Sequence, residues 1–317
     1  MKVLVTGAGG PAGVCVIKSL RTRYRVVATD VDPLASGLYL ADDAYLTRSA
    51  EDPKYVSELL RLAKRTRARV LLPTVQEELG LIARNRERFE RAGIIPIVSD
   101  ERSIVIASDK LRTYRRFRDR PYGPRTFSAR RVTFPAVVKP TRSRGGRGFA
   151  LCRNRIELKG ALSENRRLFG RSVIMEYLPG TEYSVYGLSG PDGRPRVIVP
   201  LQRIQAAAES KKAQVVHDVA IERVVREIVS ELRLRGPWNV QVMKSGSRVT
   251  LIEVNPRFAG TTSLVIASGI DLPHLAIQLF LGREPAPKSL QYRDGLFMTR
   301  YNEEIFREPG RVIRRHA

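Results

Sequence analysis

The chain has 317 residues, room for a large core and two or three domains. With 43% hydrophobic and 28% charged residues it has the balance of a folded water-soluble protein, and no apolar run approaches the ~20 residues of a membrane-spanning helix. Its 56 Lys and Arg outweigh 32 Asp and Glu, a formal charge of +24. That excess points either to an acidic partner, a polyanion or an acidic carrier protein, or simply to an Arg-rich composition. The basic residues read as spread along the whole chain, which favours composition, and residues 311–315 read as a solvated basic tail.

Residues 3–6 form an apolar strand at the very start of the chain, so no signal peptide is expected there. Cys15 and Cys152 lie in apolar surroundings and read as buried free thiols, consistent with a cytoplasmic protein. A helix is expected over 11–23, a strand over 25–29, a helix over 54–66, a strand over 70–73, a helix over 77–92 and a strand over 94–98. Strands separated by helices predict a parallel sheet with crossover helices. Then come a short basic helix over 109–117, turns at Pro121, Pro124 and Pro135, a strand over 135–139, a Gly/Arg loop over 142–148, a strand over 149–152 and a helix around 157–165. From residue 172 strands dominate, with helices over 219–232 and 272–281 flanking a hairpin.

Four segments carry chemistry. Gly7-Ala8-Gly9-Gly10-Pro11-Ala12-Gly13 follows the first strand and Asp30 closes the second, the outline of a dinucleotide fingerprint. The same glycines serve tight packing in any doubly wound domain, so the turn alone establishes no cofactor. In the second segment Lys139 ends an apolar strand ahead of Gly145, Gly146 and Gly148. Its ammonium would meet a phosphate held by the Gly-rich loop, or it is a surface lysine beside a turn. The third runs through Met175, Glu176, Tyr177 and Leu178 to Gly180 and Glu182, an apolar strand leading to two acids. It could line a nucleoside pocket, with backbone for a base and a carboxylate for ribose.

The fourth segment is the hairpin of Trp238-Asn239-Val240-Gln241-Val242 and Leu251-Ile252-Glu253-Val254-Asn255-Pro256-Arg257. A three-residue loop at Gly246-Ser247-Arg248 would set Gln241 opposite Glu253 and Asn239 opposite Asn255. Alternation then gathers these four polar side chains on one face and sends Val240, Val242, Ile252 and Val254 to the core. Oxygen donors on a hairpin suit Mg²⁺, a hard ion that bridges substrate phosphates, and Arg257 extends the row toward phosphate oxygens.

In this order and spacing, Ser108-Asp109-Lys110, Val137-Val138-Lys139-Pro140, Gly145-Gly146-Arg147-Gly148, Met175-Glu176-Tyr177-Leu178-Pro179-Gly180-Thr181-Glu182, Asn239-Val240-Gln241 and Glu253-Val254-Asn255-Pro256-Arg257-Phe258 resemble the ATP-grasp superfamily. The likeness is to synthetase domains of the carbamoyl-phosphate synthetase large chain and similar stand-alone ligases. It implies an α/β and α+β architecture: a Rossmann-like pre-ATP-grasp domain (1–107), a small lid (108–171) and a β-rich ATP-binding domain (172–317). It implies ATP between the last two, with Mg²⁺ or Mn²⁺. Lys110 and Lys139 would contact phosphates beside Gly145 and Gly146, the backbone around Glu176, Tyr177 and Leu178 would hold adenine, and Glu182 would hold ribose. Gln241, Glu253 and Asn255 would hold the metal, and Arg257 would stabilise the transferred phosphoryl group. Relatives often follow that Arg with Ser-Gly-Gly; here the run is Phe258-Ala259-Gly260-Thr261-Thr262-Ser263.

The implied activity is an ADP-forming carboxylate–amine ligase working through an acyl phosphate on small-molecule carboxylate and amine substrates. An acidic substrate or carrier protein would suit the charge, and a homodimer is the default assembly. The acceptor site is expected where the first domain faces ATP, at Thr74, Gln76 and Glu77 after a parallel strand, with Arg300. Two other functions compete. A nicotinamide-dependent oxidoreductase or epimerase would use residues 7–13 and Asp30 but leaves Lys139 and the hairpin without a role. A basic nucleic-acid-binding protein would account for the charge, yet the sequence has no zinc ligands, helix-turn-helix or aromatic platform.

Overall fold

The computed structural model describes residues 1–143, 145–205, 210–306 and 314–315. Its elements are β1 (Lys2–Thr6), α1 (Pro11–Leu20), β2 (Arg25–Asp30), β3 (Asp43–Leu46), α2 (Tyr55–Thr66), β4 (Ala68–Leu72), α3 (Gln76–Arg84), α4 (Arg86–Glu90), β5 (Ile95–Pro96), α5 (Glu101–Ala107) and α6 (Lys110–Arg116). They continue with β6 (Thr126–Phe127), β7 (Ala136–Pro140), β8 (Ala150–Cys152), α7 (Arg155–Phe169), β9 (Ser172–Glu176), β10 (Thr181–Ser189), β11 (Pro195–Gln205) and β12 (Lys212–Val215). The last are α8 (Val219–Glu231), β13 (Gly236–Ser245), β14 (Arg248–Asn255), α9 (Thr262–Ala267), α10 (Leu272–Phe280), β15 (Phe297–Thr299) and β16 (Arg314–Arg315).

Three sheets result. The first is parallel, in the order β16-β3-β2-β1-β4-β5. Its central strand β1 is buried along Val3–Thr6, as a strand covered by helices on both faces must be. After β1 the sheet grows to one side through β2 and to the other through β4, and at that switch point an open α/β sheet offers its crevice. The second sheet is antiparallel, β14-β13-β10-β11-β12-β15; the third, β6-β9-β7-β8, is backed by α7.

The cores show which parts are packed together. One apolar cluster runs from Val5, Val16 and Ile17 of the first sheet and α1 to Tyr186, Val199 and Leu275 of the large sheet and α10. Arg23 and Ser19 both bond Asp271 across this seam, at 2.8 and 2.5 Å. The first and third units therefore form one welded base. The lid has its own small core of Ala136, Val138, Cys152, Leu158 and Ile174, and it meets the base through Tyr114, Val137, Met175, Leu178 and Ile252.

Four expectations shift. β9 pairs with β6 and β7, so the lid extends through residue 176 rather than ending at 171. The helix expected over 77–92 is two, broken at Asn85, whose side-chain amide donates to the Leu81 carbonyl at 2.9 Å. The basic tail returns to the first sheet, where Arg314–Arg315 pair with Tyr45 and Leu46; residues 311–313 lie outside the described part. Charge is also uneven. Residues 125–176 hold 13 Lys or Arg against three Asp or Glu, +10 of the +24 on 52 of 317 residues. Both cysteines are free and buried, as expected, and among the described residues no helix is long and apolar enough to cross a membrane.

Candidate active site

The hairpin β13–β14 sets the site. Gln241 faces Glu253 and Asn239 faces Asn255, as the sequence implies, although by a different route. The turn is one residue tighter than expected, with Ser245 opposite Arg248, and a bulge between Gln241 and Val242 restores the pairing. The bulge corrects one assignment: Ile252 joins the cleft-lining residues with Glu253 instead of the core beneath Val240, Val242 and Val254. The Tyr114 hydroxyl donates to the Ile252 carbonyl at 2.6 Å and pins the bulge.

Cross-strand register sorts the sheet face into rows. Tyr186 lies beside Asn239 and Asn255, Ser184 beside Gln241 and Glu253, and Glu182 beside Met243. All eight line one cleft of about 1110 Å³, larger than a single drug-sized ligand requires. Polarity is graded along it, from Met243 and Ile252 at one end to Asn255 and Arg257 at the other. The apolar end suits a base and the polar end its phosphates and the second substrate.

Two lysines reach in from the lid side. Lys110 opens α6; its Nζ lies 3.3 Å from Glu253 Oε2 and donates to the Ser143 carbonyl at 3.3 Å. Lys139, on β7, has its ammonium 5.9 Å from the centre of the Phe149 ring. Burial pushes Lys139 down to about 8, with Lys110 adding to the fall and Glu253 and Glu182 opposing it. Both ammoniums lean on Glu253, and Glu182 is already paired with Arg203, which leaves positive charge that a phosphate would complete. The adjoining loop is shaped for close approach. Gly145 and Gly146 have φ of 63° and 72°, and a Cβ on Gly146 would meet nothing. Gly145, Gly146 and Arg147 line the cleft.

Three residues predicted to hold adenine are placed elsewhere. The Glu176 carboxylate is buried under the lid, accepting from Arg125 N at 2.9 Å and Arg248 Nη2 at 2.7 Å. Neither it nor Tyr177 nor Leu178 lines the cleft; Leu178 packs behind Ile252. Glu182 does line it, paired with Arg203. Arg203, Met243, Ile252 and Tyr55 are cleft residues that sequence reasoning did not assign, and Glu78, at the end of the expected acceptor segment 73–78, lines the cleft as well.

The first domain closes the other end. Gln76 is a junction: its Oε1 accepts from Arg257 Nε at 3.1 Å and its Nε2 donates to Ser108 Oγ at 2.6 Å, at the root of the lid. Arg257 also donates to the Phe258 carbonyl at 2.9 Å, so its guanidinium is held at the cleft from two sides. Thr74 bonds the Thr6 carbonyl at 2.7 Å, and Glu77 lines the cleft. Arg300 stands behind the wall, donating to the carbonyl of cleft residue Gly260 at 2.9 Å. Glu78 is buried, accepting from Thr6, Tyr55 and Val75, and burial raises its pKa despite those bonds.

The glycine turn is accounted for by packing. A Cβ on Gly13 would sit 2.2 Å from the Gly7 carbonyl oxygen, so α1 can reach the turn only without one. Asp30 closes on the turn itself, accepting from Gly9 N at 2.7 Å.

Two family profiles match: a PylC-like N-terminal domain over residues 3–97, and ATP-grasp in the biosynthetic pathway with Ter operon over 169–304. The carbamoyl phosphate synthase large chain of Thermomicrobium roseum is 28% identical over 90% of this chain, which spans only 28% of that relative. The formate-dependent phosphoribosylglycinamide formyltransferase of Burkholderia mallei is 24% identical over 84% of this chain and 71% of its own length. Among solved structures, the Campylobacter jejuni biotin carboxylase (TM-score 0.72, 16% identity) covers 92% of this chain and 73% of its own. The Bacillus licheniformis L-amino acid ligase (0.68, 16%) covers 88% and 74%. Fold, profiles and the order of the site segments agree: the chain has an ATP-grasp fold, and its residues 169–304 match an ATP-grasp family.

Proposed function

We propose that this chain is an ADP-forming ligase that activates a carboxylate as its acyl phosphate and passes the acyl group to an amine. The observation that carries this reading is the convergence of Lys110 and Lys139 on Glu253, beside Gln241 and Asn255, in a cleft with an apolar end. Such an arrangement suits a nucleotide whose phosphates face cations and whose base meets Met243 and Ile252. Among the described residues no group of three or more His, Cys, Asp or Glu could hold a metal ion. One carboxylate flanked by amides fits Mg²⁺ or Mn²⁺ arriving with the phosphates, since Mg²⁺ is commonly held by one or two carboxylates plus substrate oxygens. Gln241, Glu253 and Asn255 would hold it; when bound it would neutralise charge developing on the phosphates.

The chain's own residues would do the rest. Lys110, Lys139 and the backbone of Gly145 and Gly146 hold the phosphates. Arg257, fixed by Gln76, faces the γ-phosphate and the incoming carboxylate, whose oxygen attacks phosphorus as ADP leaves. An amine then attacks the acyl carbon and phosphate leaves, its proton passing to phosphate or solvent. Positioning and charge neutralisation suffice, and no side-chain nucleophile is needed. Thr74, Gln76 and Glu77, at the switch point, form the acceptor wall. A homodimer is the assembly we would test first.

The test is ADP and phosphate release with Mg·ATP and a panel of carboxylates and amines, beside Glu253→Ala. Release that depends on one acid–amine pair and vanishes in the variant supports the reading. A folded protein that gains no thermal stability from Mg·ATP, and releases no ADP, would end it.

A further inference from the structure

The uneven charge has a shape. Outside residues 125–176 the other 265 residues carry a net +14, about a quarter of the lid's density, so a general preference for Arg does not account for the lid. Nor does ATP, because only Lys139 and Arg147 of the described cations within 125–176 line the cleft. The remaining cations are exposed, and several form a line.

Arg155, Lys159 and Arg166 of α7 fall within about 40° of one another around the helix and span about 16 Å along it. At the outer end the Arg155 guanidinium bonds the carbonyls of Ala129 and Arg130 at 3.3 and 3.2 Å, which sets Arg130 and Arg131 beside it. At the inner end Asn165 Nδ2 bonds the Gly148 carbonyl at 2.8 Å, tying the end of α7 to the Gly loop and to Arg147 at the cleft mouth. The two acids of α7 lie on its other flank, and Glu157 is folded over the helix start onto Arg153 N at 2.7 Å. The result is a basic track from the tip of the lid to the cleft.

We propose that this track docks an acidic protein segment, rich in Asp and Glu, and leads it to the cleft. The choice of partner rests on the ligase reading above: a polycarboxylate chain carries the group to be activated, and a nucleic acid does not. A second feature agrees. Ile156 (85% exposed) is the exposed apolar side chain of α7 nearer the track, whereas Leu168 lies on the flank of the two acids. Ile156 is aliphatic, suited to a protein surface rather than to stacked bases.

The probe is fluorescein-labelled decaglutamate, followed by anisotropy in ~0.15 M salt without ATP. Arg155→Glu, Lys159→Glu and Arg166→Glu together should weaken binding about tenfold or more. Arg102→Glu, Arg223→Glu and Arg226→Glu, an equal charge change on exposed positions of the base, should weaken it no more than about threefold. Gln at the three track positions should fall between wild type and the Glu variant, and thermal unfolding would show that all fold alike. A deca-thymidylate of similar charge should bind more weakly than the peptide. Equal losses in both triple variants, no binding at this salt, or tighter binding of the oligonucleotide would each overturn the proposal. A Mg·ATP thermal shift on the same samples keeps the two readings apart. Loss of that shift with intact track binding refutes the ligase alone, and the converse refutes the track alone.

Discussion

Lys139 should make ATP binding weaken as pH rises above about 8. Its pKa in the free protein is lowered from 10.5 to about 8, chiefly by burial, and a bound phosphate would raise it again. If only the ammonium form meets the phosphate, the apparent Kd rises about twofold at pH 8 and about tenfold at pH 9. Near pH 8 binding should take up about half a proton, measurable by calorimetry in two buffers of different ionisation enthalpy. Arg keeps its charge throughout, so Lys139→Arg should bind more weakly but lose the slope. Stability follows the opposite sign. Below 8 both folded and unfolded chains hold the proton and the full cost of burying charge is present. Between 8 and 10.5 the unfolded chain binds more protons, so stability rises with pH, by up to ~3 kcal/mol from this group. A wild-type Kd that stays flat from about pH 7.5 to 9.5, or a Lys139→Arg profile with the same slope, would refute the placement of Lys139 against a phosphate.

Glu253→Gln keeps the shape of the hairpin but removes the carboxylate beside Lys110; ADP release should fall by roughly 100-fold or more, read in a coupled assay across a Mg²⁺ titration. Gln76→Ala removes its bonds to Arg257 and Ser108 at once, so kcat should drop about tenfold while ATP binding changes little; a variant that loses ATP binding instead would place Gln76 differently. Gly13→Ala would drive a Cβ into the Gly7 carbonyl, at a cost of about 1–3 kcal/mol seen in urea unfolding, with any surviving folded protein still binding ATP.

What could be read in advance was local. The alternation of apolar runs and amphipathic helices predicted the parallel first sheet, and the strand before Lys139 is β7. The short elements escaped because their pairing is remote. β3 has four residues and is recruited by β2 and β16, and β15 has three and lies beside β12. Glu176 was expected to serve adenine through its backbone, and nothing local showed where its carboxylate would go. Its partners, Arg125 and Arg248, lie 51 and 72 residues away, and only the folded chain brings them together. Arg203 carried no signal at all, since its place in the cleft depends on the register of β11 against β10.

The hairpin shows why a correct pairing can rest on an incorrect turn. Periodicity specifies which residues share a face but not how many sit in the loop, because adding one loop residue and removing one bulge leaves every pair beyond the bulge unchanged. The polar row at Gln241, Glu253 and Asn255 lies beyond the bulge, so its pairing was recoverable. Ile252 lies in the bulge, where alternation fails, and it was assigned to the wrong side. Its placement also has a consequence for the chemistry. With a regular ladder the residue before Glu253 would point into the core; with the bulge, an apolar side chain and a carboxylate stand next to each other at the cleft. The junction between the apolar and polar ends of the cleft is thus built into one strand, and the Tyr114 hydroxyl on the Ile252 carbonyl holds that geometry against return to a regular ladder.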